Sequence, residues 1–157
     1  MPKFKSTSDL MAYIRKAVDV SLSTDVFKAV NDAEVEAIND VVYSGKFSGA
    51  YARRGSSGGL GDPSNIVIVG GVATNGILAV KNITQPNPFL NGISASGGMA
   101  TVNKDLPSVV ESGYGYDYWK SSHPRRFTQI TIQNLIASGA CTSALKQGLI
   151  KQGIAVR

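Results

Sequence analysis

The longest regular pattern in this 157-residue chain is an apolar residue at every fourth position near its N-terminus. This spacing places side chains along one face of an α-helix. Polar residues such as Arg15, Asp19 and Lys28 fall mostly off that face. The pattern predicts one long helix within residues 1–44, on a stripe formed by Leu10, Ile14, Val18, Leu22, Val26 and Val30, then Ala33, Ala37, Ile38 and Val41.

The ends and the middle of this helix leave alternatives. Thr7, Ser8 and Asp9 are three candidate N-caps. Residues 21–25 could cap a second helix or kink the first near Ser23, although we favour one continuous helix. A strict four-residue spacing drifts away from a coiled-coil heptad, so packing against a sheet is favoured over a coiled coil.

A Gly- and Arg-rich segment over residues 45–64 follows the helix and holds the adjacent pair Arg53 and Arg54. Its glycines suggest a phosphate-binding loop, but no Lys-Ser/Thr ending is present and a turn and a strand follow. We therefore interpret it as an assembly loop that a neighbouring subunit orders. Its tip, residues 55–61, is expected to be poorly ordered in the monomer.

Residues 65–120 are predicted to form a β-hairpin or small sheet with a long loop. Residues 65–69 and 77–83 are rich in β-branched residues, and Asn75-Gly76 between them is a strong hairpin turn sequence. The prolines at 86 and 88 begin a Gly- and Ser-rich loop that extends to residue 104. An aromatic group follows, consisting of Tyr114, Tyr116, Tyr118 and Trp119, which suits an interface anchor.

The C-terminal region, residues 124–153, is predicted to be helical. Phe127, Ile130, Thr131, Asn134 and Leu135 fall on one face; Ser138-Gly139 breaks or kinks the helix; and Thr142 or Ser143 can restart it. Gly153 followed by Ile154 predicts a glycine C-cap. The expected fold is a single α+β domain, with a long N-terminal helix and one or more C-terminal helices on a small antiparallel sheet.

Charge is unevenly distributed along the chain. The net charge is +5; residues 1–50 carry six basic against seven acidic residues, and residues 51–157 carry ten against four. The acidic residues of the first helix are interpreted as a solvated face. The N-terminus lacks a signal-peptide pattern and no apolar run is long enough to span a membrane, so a soluble protein from a reducing compartment is expected.

No combination of residues predicts catalysis, a cofactor or a metal site. Cys141 is the only cysteine, so an internal disulfide is excluded, and its place on an apolar helical stripe predicts a buried thiol. His123 is the only histidine and is interpreted as a turn residue. The basic pairs Arg53-Arg54 and Arg125-Arg126 are favoured as protein contacts over nucleic-acid contacts, because no recognition helix or stacking platform accompanies them.

The order of segments resembles that of the small neck, or tail-completion, proteins of long-tailed double-stranded DNA bacteriophages. A Val-Glu-x-Gly strand in the related pattern corresponds to Val110–Gly113, and Arg126 stands where that pattern has a second proline. The motifs that carry the likeness are Tyr51-Ala-Arg-Arg-Gly, Gly58-Gly-Leu-Gly-Asp-Pro-Ser-Asn-Ile, Val109-Val-Glu-Ser-Gly113, His123-Pro-Arg-Arg-Phe127 and Ala144-Leu-Lys-Gln-Gly-Leu-Ile-Lys-Gln-Gly-Ile154.

The resemblance implies a non-enzymatic virion protein that forms a homo-oligomeric ring, commonly a hexamer, at the head–tail junction. It implies contacts with connector or adaptor proteins, with tail-terminator or tail-tube proteins, and transiently with DNA in the lumen. The ring position stays open between tail completion, adaptor and terminator. The residues expected to bind partners are Arg53, Arg54, Leu60, Tyr114, Tyr116, Tyr118, Trp119, Arg125 and Arg126.

Two other functions compete with this one. The first is non-specific nucleic-acid binding, in which the two arginine pairs contact phosphates while Tyr116 and Trp119 stack on bases. The second is a hydrolase built on His123, for which no nucleophile-elbow sequence is present.

Overall fold

The computed structural model describes residues 4–44, 57–85, 105–113 and 124–156, and it confirms the α+β class. The helices are α1 (Thr7–Ser21), α2 (Phe27–Ile38), α3 (Leu106–Ser112), α4 (Phe127–Ser138) and α5 (Ala140–Lys151). The strands are β1 (Ile66–Ile68) and β2 (Val80–Asn82). None of the helices in the described ranges is long and apolar enough to cross a membrane.

The N-terminal helix is continuous, as predicted. Two π-helical segments, Leu22–Val26 and Asn39–Tyr43, follow α1 and α2 and keep right-handed helical dihedral angles at the junctions. Side chains spaced by four residues rotate gradually around a regular α-helix. A π turn takes up one more residue than an α turn, so each π segment offsets that rotation. The buried positions accordingly advance by four or five residues through Ala17, Ser21, Val26 and Asn31.

Two details of the helix prediction were wrong. The N-cap is Ser6, whose hydroxyl accepts a hydrogen bond from the Asp9 N–H at 3.1 Å, and not one of the three residues after it. The predicted stripe is also less buried than expected: Leu10 is exposed, and of the six residues from Leu10 to Val30 spaced by four, only Val26 is fully buried. From Leu10 to Val30 the stripe therefore flanks the buried line and meets it at Val26, whereas farther along the helix Ala37 and Ile38 of the stripe are fully buried.

The described chain divides into two compact units. Among the described residues the first comprises 4–33, 67–81 and 132–156, and the second comprises 34–44, 57–66, 82–85, 105–113 and 124–131. In the first unit α5 packs on α1 and on the π segment Leu22–Val26. In the second unit the apolar core consists of Ala37, Ile38, Val42, Leu60, Val110 and Phe127.

The hairpin turn was predicted correctly. Thr74 and Ile77 exchange two backbone hydrogen bonds of 3.1 Å, and Asn75 and Gly76 have φ values of +55° and +76°, as a type I′ turn requires. The strands are shorter than predicted, at three residues each. Gly70 and Gly71 also have positive φ and interrupt the ladder before the turn.

The strand expected at Val110–Gly113 is wrong, because this segment belongs to α3. Pro107, Val109 and Val110 are buried with helical spacing, and Gly113 ends the helix at φ +72° with its N–H bonded to the Val109 carbonyl at 2.9 Å. Valine pairs favour strands only as a local tendency. Here the proline in the first turn and the glycine at the end agree with a short helix.

The C-terminal helices follow the prediction with two corrections. Gly139, in the left-handed conformation at φ +63°, separates α4 from α5, but α5 starts at Ala140, before the predicted restart. The Ile154 N–H bonds to the Leu149 carbonyl and the Gly153 N–H bonds to the Ile150 carbonyl, both at 2.9 Å, which confirms the glycine C-cap as a Schellman motif. Cys141 is half-buried, so the prediction of a buried thiol was wrong.

Candidate assembly surfaces

Three of the nine residues predicted to bind partners lie in the described ranges: Leu60, Arg125 and Arg126. The others, Arg53, Arg54, Tyr114, Tyr116, Tyr118 and Trp119, lie outside the described residues, as does His123. Their roles therefore remain predictions.

Leu60 is a core residue of the second unit. It is 4% exposed and belongs to the apolar cluster, so the structure gives its side chain a packing role. Gly61 beside it packs so closely that a Cβ atom would lie 3.1 Å from Cε2 of Tyr43. The packing of these two residues argues against a loose tip at this end of the segment, and the order of residues 55–61 in the monomer stays a prediction.

Asp62 occupies the backbone donors that a bound phosphate would need. Its carboxylate accepts hydrogen bonds from the N–H of Gly58 at 2.6 Å and from the N–H of Ser64 at 2.9 Å, and also from the Ser64 hydroxyl. These bonds, the Ser64 hydroxyl first, lower the pKa of Asp62. The element that follows is a three-residue 3₁₀ turn, Pro63–Asn65, and not an α-helix. Both facts argue against a phosphate site at this loop.

A buried polar cluster fixes the same loop to the end of β2. The side-chain amide of Asn82 donates to the Leu60 carbonyl at 3.0 Å and to a Glu34 carboxylate oxygen at 3.1 Å. The Thr84 hydroxyl contacts the Asn82 amide oxygen at 2.6 Å and the Gly59 carbonyl at 3.2 Å. Asn82 and Thr84 are 6% and 2% exposed, so these bonds are well shielded from water. The sequence did not indicate this cluster, because Asn82 was predicted only to be one residue of a strand.

Glu34 is therefore not part of a solvated acidic face. It is half-buried, and burial raises the pKa of its carboxyl; the Asn82 hydrogen bond opposes that rise, and the charge of Glu111 adds to it. Two more acidic residues of the first helix also have specific partners. Asp19 accepts a 2.8 Å hydrogen bond from the N–H of Gly76, and Asp25 forms an ion pair with Lys151.

The Arg125-Arg126 pair stands at the start of α4, where α3 holds the backbone. The Arg125 N–H donates to the Val110 carbonyl at 3.0 Å. One turn further, Glu111 accepts a 3.0 Å hydrogen bond from the N–H of Thr128, in the first turn of α4. A carboxylate in this place accepts a hydrogen bond from an N–H that has no partner within the helix, and its negative charge interacts favourably with the helix dipole. These two hydrogen bonds to α3 thus fix the backbone at the arginine pair. The residue types and their spacing did not predict this contact between α3 and α4.

The Arg126 side chain is available to a partner. It is exposed, and it donates a long hydrogen bond of 3.5 Å from Nη1 to Oε1 of Gln129. Arg125 is half-buried. Within the described ranges no carboxylate lies at ion-pair distance from either guanidinium. An exposed guanidinium on a fixed backbone suits a carboxylate or phosphate from outside the chain.

The first unit exposes several large apolar side chains. Ile132 and Ile136 of α4 are 52% and 77% exposed, and Ile150 of α5 is 57% exposed. In the hairpin region the exposed residues are Val69, Val72 and Ile77. Single exposed apolar residues are ordinary, but the two isoleucines of α4 are one helical turn apart and share a face. The residue spacing predicted Leu135 on the inner face of α4, but it did not predict that this outer face would be exposed.

The described part of the chain offers little chemistry. A shallow groove in the first unit is lined by Ile14, Arg15, Val18, Asn75 and Gly76, which include no nucleophile with an adjacent base. No group of three His, Cys, Asp or Glu side chains that could hold a metal occurs among the residues described. The two features of the described residues that would suit a partner are the exposed apolar side chains of the first unit and the exposed Arg126.

A protein-family model described as YomN matches residues 6–151, nearly the whole chain, so this protein belongs to the YomN family, a family of phage-derived proteins. No curated protein and no solved structure matches the chain.

Proposed function

We propose that this YomN-family protein is a structural virion protein that forms a ring at the head–tail junction of a phage, through whose lumen DNA passes. The observation that carries the proposal is the exposed apolar surface of the first unit, above all Ile132 and Ile136 of α4. Adjacent exposed apolar side chains mark contact surfaces. A phage-derived protein that assembles with other copies of itself in the virion would bury such a surface against a neighbouring subunit.

The arginine pairs fit the lumen or the junction with a neighbouring ring. Arg126 is exposed at the start of α4, and residues 51–157 carry ten basic against four acidic residues. Exposed guanidinium groups would contact DNA through its phosphates, independently of its sequence. The proposal assigns the protein no catalytic activity, no cofactor and no metal. Its partners are other copies of itself, the adjoining connector or adaptor, and the tail terminator or tail tube.

The mass of the purified protein in solution tests ring formation. Multi-angle light scattering across a range of concentrations is expected to show a closed oligomer, with six copies as the resemblance implies. A 16.5 kDa monomer at every concentration would overturn the ring.

A complementation assay tests the role in the virion. In a phage whose own copy is deleted, the double substitution of Arg53 and Arg54 by Glu is expected to leave heads and tails unjoined in electron micrographs. Lys146→Glu on α5, also an exposed base, is the matched control. Normal infectious particles from the double variant would contradict the proposed role of these arginines.

Non-specific nucleic-acid binding is the competing function, and the exposed Arg126 favours it. Titration with duplex and single-stranded DNA at two salt concentrations separates the two functions. A ring subunit should bind weakly as a free protein. Tight binding that falls steeply with salt, from a protein that stays monomeric, would favour the alternative.

A further inference from the structure

The turn between the two strands contains a chemically reactive sequence, Asn75-Gly76. Both residues are exposed. In an Asn-Gly pair the glycine nitrogen can attack the side-chain carbonyl carbon of the asparagine, and glycine favours the attack because it has no side chain to obstruct a close approach. The asparagine then loses its amide group, a reaction called deamidation.

The reaction has two steps and needs no reactant other than water. The Gly76 nitrogen forms a bond to Cγ of Asn75, and its proton leaves with the side-chain NH₂ group as ammonia. The cyclic imide then takes up one water molecule and opens at either of its two carbonyl groups, to give aspartate or isoaspartate. Both products carry a new negative charge, and isoaspartate adds one carbon atom to the main chain.

The structure holds the Gly76 nitrogen away from the position that this attack requires. Asn75 has a φ of +55° in a type I′ turn, and this left-handed conformation directs the next nitrogen away from the asparagine side chain. The N–H of Gly76 donates a 2.8 Å hydrogen bond to Oδ1 of Asp19 on α1. Ring closure requires the peptide unit between Asn75 and Gly76 to rotate, which breaks that hydrogen bond. The bond to Asp19 therefore opposes the reaction.

Two restraints act on this turn together. Thr74 and Ile77 exchange backbone hydrogen bonds of 3.1 Å on either side of it, and Asp19 binds its centre. Asp19 is half-buried on a helix, so its position does not depend on the hairpin alone. A carboxylate is also a strong acceptor, and its negative charge disfavours the deprotonated nitrogen that attacks. Loss of the Asp19 carboxylate should consequently free the Gly76 nitrogen.

We propose that Asn75 is a site of deamidation whose rate in the folded protein is set by the hydrogen bond from Gly76 to Asp19. Asp19 is a positioning residue, because it acts through the Gly76 N–H. Deamidation adds a carboxylate to the hairpin turn, and the longer main chain of isoaspartate disrupts the pairing of Thr74 with Ile77. The inference is independent of the proposed function, since it concerns the hairpin and α1 of a single chain.

Peptide mapping by mass spectrometry, after incubation at mildly alkaline pH, measures the rate. The chain provides an internal control in Asn91-Gly92, its other Asn-Gly pair, which is also followed by isoleucine and lies outside the described residues. Trypsin cleaves after Lys and Arg, so the two pairs fall in separate peptides, residues 55–81 and 82–104. Each sample therefore reports both rates.

Asp19→Ala should raise the rate at Asn75 at least about threefold, because the hydrogen bond that opposes ring closure is lost. It should leave the rate at Asn91 within about twofold of the wild type. Asp19→Asn keeps an acceptor oxygen and should return the Asn75 rate part of the way to that of the wild type. An unchanged or lower rate at Asn75 in Asp19→Ala would overturn the inference.

Gly148→Ala controls for a general loss of stability. It crowds Ser21 where α5 meets α1, and it leaves the acceptor of the Gly76 N–H in place. The rate at Asn75 in this variant should stay within about twofold of the wild type. A rise equal to that of Asp19→Ala would show that the effect is not specific to Asp19, and the inference would fail.

Wild-type protein unfolded in urea gives the unprotected rate. Deamidation of Asn75 should be at least about tenfold faster there than in the native protein, because the turn and the bond to Asp19 are both lost. Equal rates in the native and unfolded protein would show that the fold does not control this site, which would also contradict the inference.

Discussion

Gly148 of α5 faces Ser21 of α1 at a distance that leaves no room for a side chain. A Cβ atom on Gly148 would lie 2.6 Å from Cβ and 2.8 Å from Oγ of Ser21. Ser21 itself is fully buried, and its hydroxyl donates to the Ala17 carbonyl at 2.7 Å. This contact brings α5 against the long helix next to the π segment Leu22–Val26 and sets the spacing between the two helices.

Gly148→Ala should therefore destabilise the protein, although alanine is the better helix former. Helix propensity alone would add about 1 kcal/mol in favour of alanine. Overpacking a tight contact costs about 1–3 kcal/mol, and at this distance the backbones must separate. We expect a net loss of up to about 2 kcal/mol in the free energy of unfolding, measured by urea denaturation.

Two further variants check the reason for that loss. Gln147→Ala, on the exposed side of the same helix, should change stability by no more than about 0.5 kcal/mol. Adding Ser21→Gly to Gly148→Ala should recover part of the loss, which is a coupling that a double-mutant cycle measures. A Gly148→Ala protein more stable than the wild type would contradict the contact.

Glu34→Gln should stabilise the protein at neutral pH. Burial raises the pKa of Glu34 above its usual 4.5, so the native state binds this proton more tightly than the unfolded state. The charged form consequently costs stability above the native pKa, and that cost disappears as the pH falls through the native pKa towards 4.5. Glutamine keeps an oxygen for the Asn82 amide and carries no charge.

The measurement is the difference in unfolding free energy between Glu34→Gln and the wild type as a function of pH. The difference should favour the variant near pH 7 and vanish below the usual carboxyl pKa. Glu36→Gln is the matched control, because Glu36 is exposed two residues away on the same helix. If the stability difference between the variant and the wild type grew as the pH falls, the pKa of Glu34 would not be raised in the native state.

Glu111→Ala should weaken the start of α4. The substitution removes the acceptor of the Thr128 N–H and a negative charge at a helix N-terminus, and losing such a cap costs about 0.5–2 kcal/mol. Glu111→Gln keeps an acceptor and loses only the charge, so it should cost less. Thermal unfolding compares the two variants, and amide hydrogen exchange at Thr128 should rise more in the alanine variant. Identical exchange in all three proteins would contradict the capping role.

The sequence by itself determined the local structure wherever local chemistry is decisive. Apolar spacing without Gly or Pro gave the long helix, Asn75-Gly76 gave the hairpin turn because both residues accept positive φ, and Gly153-Ile154 gave the Schellman motif. Each of these depends on atoms within a few residues of one another.

Tertiary structure decided which of several compatible local states was adopted and which polar groups became buried. Val109 and Val110 suit a strand, yet they lie in α3, because that helix buries both and places Val110 in the same apolar core as Phe127. Glu34 and Asp25 look like solvated acids until Asn82 and Lys151 approach from distant parts of the chain. The exposure of Ile132 and Ile136 on α4 was not predicted for the same reason. Exposure depends on which neighbours a helix acquires, whereas the residue spacing of α4 marks two of its faces as equally apolar.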